Sequence, residues 1–167
     1  LSTTAIKMQP NQPAEQEPQV IIQAPDISLV AAQSLGLVLL AEDNPVNLLV
    51  AQRLIKLCGF DYVSAENGEI ALELLQQQAF NMVLMDCQMP IMDGYRATLE
   101  WRNIEKINNL PRTPIIAMTA NAMAEDKQKC LDVGMDDYLS KPVDRNLLQK
   151  TLLSWLNKAQ PKSKFEL

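Results

Sequence analysis

Met82, Val83, Leu84 and Met85 form an apolar run that ends on a carboxylate, Asp86. A loop containing Pro90 follows, and Gly94 then opens a helical pattern. A short continuous apolar run of this kind reads as a strand buried on both faces. It carries an acid to its own carboxyl end, where a buried and unpaired charge is costly. Any fold for this chain must therefore bring compensating groups to Asp86. The candidates are Glu42 and Asp43 after one apolar run, Thr119 after another, and Lys141 after a third.

The rest of the chain repeats the same unit. Leu35–Ala41 is a strand pattern, and Asn44 and Pro45 supply an N-cap and a first helical residue. Val46, Leu49, Val50, Arg53, Leu54 and Leu57 carry the stripe of the following helix, which Cys58-Gly59 stops. Tyr62–Ala65 is a short strand, and Ile70, Leu74 and Leu75 mark the inner side of a second helix after the Asn67-Gly68 turn. The run before Asp86 leads into a third helix over Tyr95–Ile107, with Thr98 and Trp101 towards the sheet. Pro114–Met118 and Asp137–Leu139 are the remaining strands, with helices over Ala122–Val133 and after the cap Asp144. Leu148, Leu152, Trp155 and Leu156 form the apolar side of the last helix.

Five successive strand–helix units predict one parallel sheet with helices on both faces. Ligands of such sheets bind beyond the carboxyl ends of the strands. Glu42, Asp43, Asp86, Thr119 and Lys141 all fall at strand carboxyl ends, so they should converge at one edge. Singly, each has an ordinary reading: Asp43 as a helix cap, Lys141 as a solvated lysine, Thr119 as a strand-end residue. Jointly they describe a pocket. Its clustered carboxylates suit a hard divalent cation such as Mg²⁺. A carboxylate can then act as nucleophile towards phosphorus, with Lys141 and the Thr119 hydroxyl taking phosphoryl oxygens.

Composition narrows the classes. Fifteen basic against 20 acidic residues give a net charge of −5, without the basic footprint of a nucleic-acid binder. There is no histidine, so any imidazole chemistry must come from another molecule or another part of a parent protein. Cys58, Cys87 and Cys130 show no metal-ligand spacing and read as reduced bystander thiols of a cytosolic protein. The eight methionines read as core and loop filler. Leu35–Ala41 is too short to span a membrane, and no charged segment precedes it as in a signal peptide. Residues 1–33 hold four of the ten prolines, six glutamines and no glycine, and are expected to be a flexible linker. The domain itself should span 34–158, with a tail over 159–167. Leu1 at the start suggests a fragment of a longer chain.

LVLLAEDNPVN, VLMDCQMPIMDG, PIIAMTANAM and GMDDYLSKPV, in this order, closely resemble the response-regulator receiver domain over about Leu35 to Asn157. That resemblance implies a flavodoxin-like five-stranded sheet of order 2-1-3-4-5. It implies Asp86 as phosphoacceptor and Mg²⁺ held by Asp43, Asp86 and the Gln88 backbone carbonyl, with Glu42 acting through water. Thr119 and Lys141 match the phosphoryl-sensing pair, Tyr138 the switch aromatic, and Lys141-Pro142 a cis-proline turn. Gln88 and Asn121 stand where the family tunes dephosphorylation. The motifs are similar to receivers attached to hybrid sensor histidine kinases. The Pro/Gln-rich linker agrees, as does the short tail, which leaves no room for a DNA-binding output domain. The implied setting is cytoplasmic, with the parent anchored in the inner membrane and no membrane contact by the domain itself. Phosphoryl would arrive from a kinase histidine and leave to a histidine phosphotransfer domain docked near Pro45, Leu48 and Gln52. A stand-alone response regulator is the alternative setting. A Mg²⁺-dependent phosphatase is a weaker one, because Gln88 stands where such enzymes carry a second catalytic aspartate. A binding module with a vestigial site is opposed by the intact Asp43, Asp86, Thr119 and Lys141.

Overall fold

The computed structural model describes residues 33–121 and 123–159. Nearly all of the expected linker and tail lies outside these residues. Five strands alternate with five helices: β1 Leu37–Ala41, α1 Pro45–Leu57, β2 Asp61–Ala65, α2 Gly68–Gln77, β3 Met82–Asp86, α3 Gly94–Ile107, β4 Ile115–Thr119, α4 Ala124–Asp132, β5 Asp137–Ser140 and α5 Arg145–Ala159. All neighbouring strands are parallel, in the order β2-β1-β3-β4-β5. This is the flavodoxin-like sheet expected from the motifs.

Side-chain parity sorts the core into two layers, because successive residues of a strand point to opposite faces. Leu39, Ala41, Val83, Met85, Ile115 and Ala117 face one way and meet α2, α3 and Cys130 of α4. Val38, Leu40, Met82, Leu84, Ile116 and Met118 face the other way and meet α1 and α5. The central strands β3 and β4 are buried along their whole length, whereas the edge strands β2 and β5 are only partly covered.

The caps fall where the sequence puts them. The Asn44 side chain accepts from the backbone N–H groups of Val46 and Asn47 at 2.9 and 3.1 Å, and Pro45 is the first helical residue. Asp144 caps α5 by accepting from the Leu147 N–H at 2.8 Å. Thr98 and Trp101 are buried, as expected.

Two helix faces differ from the expectation. In α1, the buried positions are Ala51 and Ile55, joined by Cys58 at the cap, while Leu48 and Leu54 are partly covered. Val46, Leu49 and Val50 are instead 70%, 52% and 50% exposed, and Leu57 is also exposed. Residues 48, 51, 55 and 58 form one i, i+3, i+7 stripe, so the inner face mixes Leu48 and Ile55 with the small Ala51 and Cys58. Choosing the bulky residues misplaced the stripe, because α1 is apolar on more than one side. In α2 the inner side is Ala71, Leu72 and Leu75, and Ile70 is exposed. Both corrections have one cause: a crossover helix lying close on a sheet packs alanine at the contact.

Candidate functional site

Strand register assembles the pocket. Ala41 is level with Met85, Asp86 with Met118, and Thr119 with Ser140. The next residues out, Glu42, Asp43 and Lys141, therefore surround Asp86 at the carboxyl edge of β1, β3 and β5. The loop after β3 is fixed by its backbone: the Cys87 N–H donates to Met118 O at 3.1 Å, and the Gly94 N–H to Cys87 O at 3.2 Å. A further bond runs from the Gly68 N–H to Met92 O at 2.8 Å. Ile91, within this loop, has φ 70°, an uncommon conformation for a β-branched residue, and its side chain is exposed.

Lys141 stands between two acids. Its Nζ donates to Glu42 Oε2 at 2.7 Å and lies 3.0 Å from Asp86 Oδ2. Glu42 Oε1 also accepts from the Asn44 N–H at 3.0 Å, and Asp86 Oδ1 from the Gln88 N–H at 3.2 Å. Glu42 and Asp86 are both buried. Burial pushes the Asp86 carboxyl above its ordinary range, and the Glu42 charge adds to this. Lys141 and the Gln88 N–H oppose the rise without cancelling it. For Lys141, burial works downward, but bonds to Glu42 and Asp86 outweigh it and hold the ammonium above its usual value. One lysine is thus shared by two buried acids and leaves the pocket short of positive charge.

Asp43 completes the acidic group. One carboxylate oxygen from each of Glu42, Asp43 and Asp86 lies within 4.8 Å of the others. Opposite oxygens of an octahedral Mg²⁺ shell are about 4.2 Å apart. The donor set is all oxygen, and Asp43 is exposed, leaving the site open on one side. These residues fit a hard divalent cation.

The other candidates lie on β4, β5 and α1. The Thr119 hydroxyl donates to Asn121 O at 2.9 Å and accepts from the Asn121 N–H at 3.1 Å, so it is engaged with its own loop. Tyr138 is half-buried, with Lys127 Nζ 4.5 Å from its ring centre. The Lys141-Pro142 peptide is cis. Pro45 is exposed beside the pocket, Leu48 packs partly on the core, and the Gln52 amide donates to Ser64 Oγ at 2.9 Å. Motif reading missed the exposed Val46, Leu49 and Val50, and also the contact between Cys87 and Cys130. Parity was the available signal for the second, since residue 87 continues the 83–85 side of β3.

Gly94 is required by proximity. A Cβ there would collide with the Asp86 carbonyl oxygen and lie 2.8 Å from Met85 Cγ. Gly94→Ala is expected to cost about 2 kcal/mol or more, because backbone must shift to admit it. Thermal unfolding checks this, and an unchanged Tm would disprove the constraint.

A doubly wound parallel sheet with three carboxylates and a lysine at its carboxyl edge defines the class of α/β domain. Residues 38–153 match the response regulator receiver domain, and the chain belongs to that family. It is 47% identical over 118 residues to the sensor protein GacS of Pseudomonas syringae pv. syringae, covering 71% of this chain and 13% of that protein. The chain therefore spans only about an eighth of that relative. A solved receiver domain of a sensor histidine kinase from Pseudomonas aeruginosa PAO1 is 41% identical, with a TM-score of 0.66, covering 73% of this chain and 98% of that one. That structure has a magnesium ion coordinated in its active-site cleft. The receiver of Saccharomyces cerevisiae Ssk1, solved with the histidine phosphotransfer protein Ypd1, is 29% identical with a TM-score of 0.72. That match covers 77% of this chain and 93% of the other. The family places the chain in two-component signalling, and its relatives include receiver regions of hybrid kinases. Among the described residues, no helix is long and apolar enough to cross a membrane.

Proposed function

We propose that this chain is the phosphoacceptor receiver of a phosphorelay and that Asp86 carries the phosphoryl group. The observation that carries the reading is the arrangement around Asp86: a buried carboxylate with two acidic neighbours and one lysine. An Asp86 oxygen attacks phosphorus as the bond from phosphorus to the donor's imidazole nitrogen breaks. Asp43, Asp86 and the Gln88 carbonyl would hold Mg²⁺, with Glu42 one water removed. Bound there, Mg²⁺ supplies positive charge to the carboxylates and the transferring group. Lys141 takes a second phosphoryl oxygen. Thr119 leaves Asn121 to take a third, and Tyr138 turns into the space it vacates.

The phosphoryl donor is the histidine of a kinase, and a hybrid sensor kinase is the parent that the GacS likeness supports. The acceptor is a histidine phosphotransfer domain. Pro45, Val46, Leu49 and Val50 give α1 an exposed apolar face beside the pocket, suited to docking a partner helix. Leu48 and Gln52 border that face from the core side.

The reading is tested by intact mass after incubation with a small acyl phosphate, with and without Mg²⁺. One phosphoryl adduct that disappears on chelation is the expected result. No adduct under either condition, from the chemical donor or from a kinase donor, would overturn the proposal. A separate variant tests docking. Leu49→Asp should slow transfer to a phosphotransfer domain by at least about tenfold while leaving acyl-phosphate labelling intact. Unchanged transfer would move the docking face elsewhere.

A further inference from the structure

We infer that Cys87 and Cys130 are a modification site, a buried thiol pair that closes into an intramolecular disulfide and pins α4 to the loop after Asp86. The two Sγ atoms are 3.8 Å apart although 43 residues separate them in sequence. Cys87 is 3% exposed and Cys130 is 0% exposed. A disulfide needs about 2.05 Å, so a gap of roughly 1.8 Å must close by side-chain rotation and a small helix shift.

The two halves of the contact are held unequally. Cys87 is fixed through its backbone bonds to Met118 and Gly94, at 3.1 and 3.2 Å. Cys130 sits on a nine-residue helix of which it is the only buried residue, and Met123 offers α4 no side-chain cap. An element with so little buried surface opens locally at low free energy. Tyr95 of α3 flanks the pair: its hydroxyl faces Cys87, and its ring has Lys129 Nζ of α4 4.1 Å from its centre. Displacing α4 removes Lys129 and Cys130 together and uncovers Cys87 on that side. The thiols are therefore closed to solutes while α4 is seated and become reactive together when it lifts.

The oxidant is hydrogen peroxide. One thiol gives up its proton and attacks the peroxide oxygen, forming a sulfenic acid as the O–O bond breaks and water leaves. The second thiol attacks that sulfur, the S–S bond forms, and the sulfenic oxygen departs as a second water. Two thiols are oxidised by two electrons, and one peroxide is reduced to two waters. Cys58 lies in the opposite core layer with α1 and α5 and cannot substitute for either partner. The bond itself does not depend on the phosphoacceptor reading. Its consequence does: a tethered α4 could not follow a rearrangement of Thr119 and Tyr138.

The test uses the full chain treated with hydrogen peroxide, then unfolded in N-ethylmaleimide and weighed. Reduced protein should take a label on each of its three cysteines. Oxidised protein should take one, on Cys58, with a Cys87–Cys130 peptide pair after digestion. Three labels after peroxide, when free glutathione in the same tube is fully oxidised, would overturn the proposal, and so would any bond to Cys58. Cys58→Ala should still form the bond, and Cys130→Ala should not. Tryptic cleavage after Lys127 and Lys129 in α4 should slow by at least about tenfold on oxidation and recover with dithiothreitol. Cleavage that does not slow would refute the pinning of α4. If the reduced chain takes no phosphoryl group, the phosphoacceptor reading fails while the labelling result stands.

Discussion

Asp86→Asn should reduce phosphoryl uptake from an acyl phosphate by at least about a hundredfold, to no detectable adduct by intact mass. The amide nitrogen is not a nucleophile, and the other acids cannot take over without rebuilding the pocket. Glu42 is tied to Lys141 and to the Asn44 N–H, at 2.7 and 3.0 Å. Asp43 is exposed at the rim. The same substitution should leave the fold intact. Burial raises the Asp86 pKa despite its bond to Lys141, so the charged carboxylate is less favourable in the fold than in the unfolded chain. For a carboxyl with a raised folded value, stability is lost as pH climbs through the unfolded and then the folded pKa. At neutral pH without added Mg²⁺, removing that charge should keep Tm unchanged or raise it. An Asp86→Asn protein that still gains a phosphoryl group would place the acceptor elsewhere. A protein that unfolds would show that Asp86 also holds the pocket together.

The largest stability effect is expected far from the pocket, at Arg102. Its Nη1 donates to both Glu105 oxygens, at 3.0 and 2.8 Å, and to Thr113 O at 2.9 Å. Its Nη2 reaches Asp136 Oδ2 at 2.8 Å, and its Nε donates to Gly134 O at 2.9 Å. One side chain thus joins α3 to the segments before β4 and β5. The Arg102, Glu105 and Asp136 side chains are only 12%, 7% and 11% exposed. Arg102→Met would leave Glu105 without a cation and with only the Thr113 N–H at 2.7 Å, whereas Asp136 keeps Arg112 at 2.9 Å. Breaking a buried pair from one side costs about 3–5 kcal/mol. Urea unfolding should show that loss with an unchanged m-value. A loss below about 1 kcal/mol would mean that water already screens the cluster. Arg96→Ala is the control: its partner Glu100 is in an exposed i, i+4 pair worth about 0.3–0.5 kcal/mol. Adding Glu105→Leu to Arg102→Met should recover part of the loss, because the stranded charge is then gone.

How much of this was legible without coordinates depends on the kind of interaction. Apolar runs ending on acids, caps such as Asn44 and Asp144, and ordered βα units are written locally, and the structure returns the same sheet order. The convergence of Glu42, Asp43, Asp86, Thr119 and Lys141 also followed, because a parallel sheet brings all strand carboxyl ends to one edge. The inner face of α1 was misjudged. Its apolar residues surround the helix, and only contact with the sheet selects Ala51 and Ile55 over Val46 and Leu49. That contact is a property of helix placement, which local periodicity does not encode.

The sequence alone therefore determined the fold class, the strand that carries Asp86 and the edge where the acids meet, because backbone periodicity and parity are local. Only the tertiary structure decided which side chains become partners, at that edge and elsewhere. It gave Lys141 to both Glu42 and Asp86, engaged Thr119 with Asn121, brought Cys87 to Cys130 and gathered Glu105 and Asp136 around Arg102. Lys141–Glu42, Lys141–Asp86, Cys87–Cys130 and Arg102–Asp136 depend on distances of a few ångströms between residues far apart in the chain, and those distances exist only once both layers have packed on the sheet.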